Sequence, residues 1–133
     1  MPIKGTAGWN VKAFRRLGFL AIIVVSAVVL VELKWHPIGF YTADRLYDNV
    51  PTYANCDVYP LPETAQQVLE TLPRPAGVEA LVSDRCAGKG GIELRYGSHA
   101  LRVELEKILE SSGKWQAGTG WFLRGVPVEL RNV

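Results

Sequence analysis

The side chains with the most distinctive chemistry are two cysteines, Cys56 and Cys86, in a chain of 133 residues. Two thiols in a compartment that oxidises them are expected to form a disulfide, which would stabilise the fold by about 3–4 kcal/mol. Two unrelated buried thiols are the alternative. The sequence has no Cys-x-x-Cys spacing and two histidines, too few ligands for a zinc site. We therefore expect neither a metal nor a cofactor.

The residues suited to acid–base or nucleophilic catalysis do not form a recognisable motif. His36 follows an apolar run closely, where a pocket is not expected, and His99 lies at the start of a predicted helix. Ser98 is placed to cap that helix, and no Gly-x-Ser-x-Gly surrounds any serine. The acids of the same helix fall on different parts of its surface: Glu104, Glu106 and Glu110. We expect no enzyme, although a site assembled from scattered residues remains an alternative.

The element that positions everything else is an uncharged apolar run over residues 17–31, which Leu33 extends. At 1.5 Å per residue the run is roughly 25 Å long, slightly under the hydrocarbon thickness of about 30 Å. We predict a transmembrane signal-anchor helix over residues 17–34, after a basic N-terminus at residues 1–16. A soluble core helix would show a polar stripe, and a cleaved signal peptide would favour Ala-x-Ala, which is absent.

Aromatic and basic residues bracket the predicted anchor on both sides. Trp9, Arg15 and Arg16 precede it, and Lys34 and Trp35 follow it. Tryptophan rings suit the two interfaces of a bilayer, and long basic side chains reach back to the headgroups. These five residues are the predicted membrane-interface positions, with the lipid bilayer as their partner.

Charge predicts the orientation of the chain. Residues 1–16 hold four basic residues and no acid, whereas residues 35–133 hold ten basic and twelve acidic residues. The positive-inside rule then places the N-terminus in the cytoplasm and the C-terminal part in the periplasm or outside the cell, on an inner (plasma) membrane. A mitochondrial inner membrane, with the domain in the intermembrane space, is the alternative. The overall net charge of +2 does not require a nucleic-acid partner.

Residues 35–61 are predicted to be an irregular connector rich in proline and tyrosine. Prolines and turn-forming residues interrupt it, and its tyrosines recur every six residues, which matches neither a helix nor a strand. Its aromatic content argues against disorder, so we expect it to wrap the domain or meet a partner. Tyr41 and Tyr47 are candidates for partner contact, with chance spacing in a tyrosine-rich segment as the alternative.

Residues 62–133 predict a small α+β domain in which one antiparallel sheet packs against two helices. Apolar spacing predicts helices over residues 62–72 and 99–111, and alternation predicts strands over 78–86, 92–96 and within 114–133. The glycines around Lys89 predict a hairpin turn, because a phosphate-binding loop would need Ser or Thr after the lysine. Pro127 is expected on an edge strand or near a strand's start.

Three aromatic residues near the C-terminus allow two interpretations: Trp115, Trp121 and Phe122. Beside an exposed edge strand they would contact a partner. In a small domain they would instead supply core area.

These observations lead to one main hypothesis and two alternatives. The main one is a non-catalytic single-pass membrane protein, an accessory or assembly subunit whose extracytoplasmic domain contacts other subunits of a membrane complex. A membrane-anchored inhibitor, immunity protein or ligand-binding module is the first alternative, and a tethered hydrolase is the second.

Overall fold

The structure, a computed structural model, describes residues 6–133, with side chains from Asn10 onwards. It contains two compact units, one ending at Lys34 and the other comprising Trp35–Val133.

The first unit contains most of a long apolar helix, α1, at Thr6–Trp35, whose last residue is counted with the second unit. Among the described residues, one helical segment is long and apolar enough to cross a membrane, Asn10–Trp35, and its apolar window is exposed throughout. Its 26 residues correspond to about 39 Å at the α-helical rise, more than the hydrocarbon core requires. This segment could span a membrane or act as a signal sequence.

A second helix, α2 at Pro37–Tyr47, occupies the segment where we predicted an irregular connector. That prediction was wrong here because the prolines mark helix boundaries. Pro37 lies at the start of the helix, where its missing N–H costs nothing. Asp48 ends the helix in the left-handed conformation with φ 52°.

The remaining elements follow in the predicted order. They are a 3-10 turn at Cys56–Val58, α3 at Pro62–Glu70, β1 at Glu79–Ser83, β2 at Gly91–Tyr96, α4 at His99–Ser112, β3 at Lys114–Gln116, β4 at Gly120–Leu123 and β5 at Val126–Asn132. The predicted α+β class is therefore confirmed. Residues 35–133 form three α-helices rather than two, since α2 was not expected.

The five strands form one sheet in the order β1-β2-β5-β4-β3. Its pairs are antiparallel except for β2 and β5, which run parallel. The parallel pair was not predicted; the chain reaches it through α4 and the β3–β4 hairpin, a connection long enough for a crossover. Pro127 is the second residue of β5, and the pairing with β2 begins only at Val128. A central strand therefore tolerates a proline at its start.

The core lies between α3, α4 and one face of the sheet. From the helices it takes Ala65, Val68, Leu69, Leu105 and Leu109, and from the strands Ile92, Leu94, Tyr96, Trp121, Leu123, Val126, Val128 and Leu130. Ser98 caps α4 as predicted, its hydroxyl accepting a hydrogen bond from the Leu101 N–H.

Close packing explains the two glycines that precede β2. A Cβ at Gly90 would lie 2.7 Å from the Pro62 Cα, and one at Gly91 would lie 2.8 Å from the Tyr59 ring. These glycines let the start of α3 and the buried Tyr59 approach the sheet. The structure thus gives this glycine-rich segment a packing role.

Candidate functional site

The predicted membrane-interface residues lie at both ends of the apolar segment. Arg15 and Arg16 are exposed, and so are Lys34 and Trp35 beyond the far end. The side chain of Trp9 lies outside the part of the structure that is described.

Cys56 and Cys86 are joined by a disulfide, with their Cα atoms 5.7 Å apart. The bond ties the segment after α2 to the connection between β1 and β2. Close to it, Arg85 Nη1 donates a hydrogen bond of 2.9 Å to the Thr52 carbonyl oxygen. These two contacts attach the connector to the β1–β2 connection.

The beginning of α2 packs against the sheet through aromatic rings. Phe40 contacts Tyr53 edge-on at a centroid distance of 4.9 Å and Trp115 at 5.2 Å. Trp115 in turn contacts Trp121 across the β3–β4 pair at 5.3 Å. The His36 ring stacks on Tyr53 at 4.0 Å. This aromatic cluster joins α2 to the far edge of the sheet.

The end of α2 is held by an ion network around Arg102, whose side chain is 9% exposed. Its Nη1 atom contacts the Asp44 carboxylate and lies 2.7 Å from Asp48 Oδ1, and its Nε donates to Glu106. Asp48 also lies 2.7 Å from His99 Nδ1. The Arg102–Glu106 pair follows from their spacing of four residues on one helix, whereas the contacts to α2 join residues far apart in the chain. This network, the α2 clamp, joins α2 to α4.

The electrostatics of the clamp favour its charged form. Burial raises the pKa of Asp48, but hydrogen bonds from His99 and Arg102 outweigh it and hold that pKa below its ordinary value. Burial lowers the pKa of Arg102, and hydrogen bonds to its carboxylate partners more than reverse the effect. Burial and the nearby Asp48 charge raise the pKa of Tyr96, whose hydroxyl donates a hydrogen bond to the Asp48 carbonyl oxygen.

The side of α2 that faces away from the sheet exposes apolar residues. Ile38, Tyr41 and Arg45 lie on one helical face, and Leu46 lies beside them. Tyr41 is 64% exposed and Leu46 is 70% exposed. The Arg45 guanidinium lies 5.7 Å from the Tyr41 ring centroid. We call these four residues the outer face of α2.

The predicted partner-contact residues divide into exposed and packed positions. Tyr41 and Tyr47 are well exposed, and Trp115 is 42% exposed on the edge strand β3. Phe122 is half-buried, whereas Trp121 is 8% exposed and belongs to the core. Trp121 is therefore a core residue. Trp115 contacts Phe40 of α2 within the aromatic cluster.

A polar groove of about 450 Å³ lies on the sheet face opposite the core. Its floor is formed by outward residues of β1, β2 and β5, and its walls by α2 with the segment after it and by the β1–β2 connection. The lining residues are Ala43, Asn49, Pro51, Leu81, Ser83, Asp84, Arg85, Glu93, Arg95, Glu129, Leu130 and Arg131. We call it the arginine groove.

Two glutamates sit side by side on the floor of this groove, in register on β2 and β5. The side chain of Glu93 is 5% exposed, and it accepts hydrogen bonds from Arg95 Nε at 3.0 Å and Arg131 Nη1 at 2.9 Å. Glu129 lies 3.7 Å from Arg85 Nη1. Among the described residues, no buried side-chain polar atom lacks a hydrogen-bond partner.

The two carboxyl groups differ in their surroundings. Burial raises the pKa of Glu129, the Arg85 charge lowers it, and the neighbouring Glu93 carboxylate raises it again, so the net shift is upward. The hydrogen bond to Glu93 raises the pKa of Arg131.

A short repeat could have revealed this groove. The tripeptide Glu-Leu-Arg occurs at residues 93–95 and again at 129–131. In the structure the two copies lie side by side in parallel register, so that Glu93 faces Glu129 and Arg95 faces Arg131. We missed the signal because antiparallel pairing of chain neighbours was expected.

Comparison of the chain with protein-family models, with curated proteins and with solved structures gives no match.

Proposed function

We propose that this is a non-catalytic, single-pass membrane protein that acts as an accessory or assembly subunit of a membrane complex, with the outer face of α2 as its contact surface. The observation that carries the proposal is an exposed apolar helix face, attached to the domain at both ends of α2, in a helix that begins two residues after a segment able to span a bilayer. Tyrosine and arginine, both present on this face, are enriched among residues that dominate binding energy at protein interfaces.

The position of α2 in the chain limits which partners it can meet. Only His36 separates the end of α1 from Pro37, the first residue of α2. With α1 inserted as an anchor, one intervening residue keeps the beginning of α2 within a few ångströms of the membrane surface. A partner must therefore be a membrane protein or a protein bound at the surface.

Two attachments keep the outer face oriented. The aromatic cluster fixes the beginning of α2, and the α2 clamp fixes its end. A preorganised surface loses less conformational entropy on binding than a flexible one. This rigidity supports a role in protein–protein contact over one as a flexible tether.

The charge distribution and the disulfide support an extracytoplasmic domain. Four basic residues precede the apolar segment, and a disulfide persists where thiols are oxidised. We place the domain in the periplasm or outside the cell, with the N-terminus in the cytoplasm.

Site-specific photocrosslinking in native membranes tests the contact surface. A photoreactive residue at Tyr41 or Leu46 should give discrete crosslinks to protein, while one at the exposed Glu110 of α4 serves as the matched control. Discrete adducts from the two α2 positions but not from position 110 are expected. Adducts to lipid alone, or equal protein adducts from all three positions, would contradict the proposal.

A further inference from the structure

We propose that the arginine groove binds an anionic group, a phosphate or a carboxylate, through Arg85 and Arg131, while Arg95, held by Glu93 and facing Glu79, supplies a neighbouring positive charge. This site is separate from the outer face of α2, and it does not depend on the proposed role in a membrane complex. Guanidinium groups present several N–H donors in a plane that matches the oxygens of both anions.

The buried Glu93 orients two of the three arginines. Arg95 donates to Glu93 through two nitrogens, at 3.0 and 2.9 Å, and Arg131 donates to the other oxygen of Glu93 at 2.9 Å. Arg85 is held by the Thr52 carbonyl at 2.9 Å. Side chains fixed in this way lose little freedom when a ligand binds.

Arg85 and Arg131 still have N–H donors beyond the Nη1 atom that their neighbours engage. The contacts of Arg85 and Arg131 with their neighbours engage Nη1. The side chains of these two residues remain 52% and 54% exposed. The rest of each guanidinium is therefore accessible from the groove, which has room for a small ligand at about 450 Å³.

Stability alone does not account for this cluster. Burying carboxylates is costly, and replacing a buried ion pair by apolar residues of similar volume is often neutral or stabilising. The outward face of a sheet could also have been covered by apolar side chains and a third layer. An open groove in which three arginines surround the buried Glu93 and the partly buried Glu129 is instead the arrangement of a preorganised anion site.

The net charge of the groove does not attract an anion. Three arginines in the lining are balanced by Glu93, Glu129 and Asp84. Binding therefore depends on directed N–H donors, with Asp84 as a repulsive neighbour. This predicts opposite effects for substitutions of the arginines and of Asp84.

The test is a titration of the full chain in a neutral detergent with inorganic phosphate and with pyrophosphate. Binding is followed by calorimetry and by the rise in unfolding temperature, since a ligand that binds the native state stabilises it. Saturable binding to the wild type is expected. Arg131→Gln should weaken it about tenfold, the loss expected for one charge-assisted hydrogen bond, and Arg85→Gln with Arg131→Gln should abolish it.

Two further variants keep the test decisive even if the arginine variants fold poorly. Arg74→Gln makes the same charge change at an exposed residue outside the groove and should leave binding unchanged. Asp84→Asn should strengthen binding. Absence of saturable binding to the wild type, equal weakening by Arg74→Gln, or weaker binding to Asp84→Asn would each overturn the proposal.

Reconstitution separates a soluble ligand from a lipid headgroup. The chain is placed in bilayer discs of phosphatidylcholine with or without phosphatidylglycerol, and the pyrophosphate titration is repeated. Equal affinity in both discs supports a soluble anion as the ligand. Weaker apparent affinity in discs with the anionic lipid, by competition, supports a headgroup.

Discussion

Arg102 shows how one side chain joins two distant parts of the chain. It is almost fully buried and contacts three carboxylates, two of them from α2 and its end and one from its own helix. The local pair with Glu106 follows from a spacing of four residues. The pairs with Asp44 and Asp48 span more than fifty residues, so no local pattern could have predicted them.

Replacing Arg102 should therefore destabilise the domain strongly. Arg102→Ala removes a buried guanidinium and leaves three partly exposed carboxylates without their counter-charge, and we expect a loss of roughly 2–3 kcal/mol in the free energy of unfolding. Denaturant unfolding of the full chain in detergent, followed by circular dichroism, measures it. Arg124→Ala removes an exposed arginine and should change stability by less than about 0.5 kcal/mol; an equally small effect at Arg102 would contradict the α2 clamp.

Glu129 should make the folded protein more stable in acid than at neutral pH, the reverse of the usual effect of a carboxylate. Because its pKa is raised above the ordinary 4.5, the folded protein holds this proton more tightly than the unfolded chain does. Its protonation thus favours folding below pH 4.5, and the contribution is lost as the pH rises through the raised pKa. Glu129→Gln should be more stable than the wild type at neutral pH and similar to it in acid.

Asp48 provides the opposite case for the same measurement. Its pKa is held below 3.8, so its charge stabilises the fold above that pH, and the contribution is lost as the pH falls through the lowered value. Asp48→Asn keeps a residue type that tolerates positive φ and should be less stable at neutral pH. Denaturant unfolding of both variants across pH measures the two changes in the free energy of unfolding. If both variants are stabilised, or both destabilised, at neutral pH, the assigned electrostatics are wrong.

Among the secondary-structure elements, those with local signals were predictable from the sequence. The apolar stripe of α3, the Ser98 cap of α4 and the glycine-rich turn between β1 and β2 are each encoded within about ten residues. In contrast, α2 is stabilised by Phe40 and Asp48 through residues far along the chain. The parallel pairing of β2 with β5, and with it the arginine groove, also depends on long-range contacts.

The disulfide also joins residues that are far apart in the sequence, in this case covalently. Replacing both Cys56 and Cys86 by serine opens a loop of 30 residues and should cost about 3–4 kcal/mol on the chain-entropy model. Denaturant unfolding of the variant and of the wild type, each with and without reductant, measures the difference. Reductant should lower the stability of the wild type alone. A wild type that reacts fully with an alkylating reagent after denaturation without reductant would show that the bond is absent.

Taken as a whole, the molecule combines a basic N-terminus, one apolar helix and a domain rich in internal polar contacts. The N-terminal charge is concentrated in residues 1–16, while residues 35–133 hold slightly more acids than bases. This asymmetry and the disulfide support the proposed placement of the domain outside the cytoplasm. The proposed contact through α2 depends on that placement.

Protease accessibility tests the placement most directly. A C-terminal epitope tag is added to the full chain, and protease is applied to intact cells or to organelles from which only the outer barrier has been removed. We expect the tag to be lost while a cytoplasmic marker survives, and an N-terminal tag to remain protected in a fragment of anchor size that stays with the membrane. A C-terminal tag that is cut only after the membrane is dissolved would contradict the account.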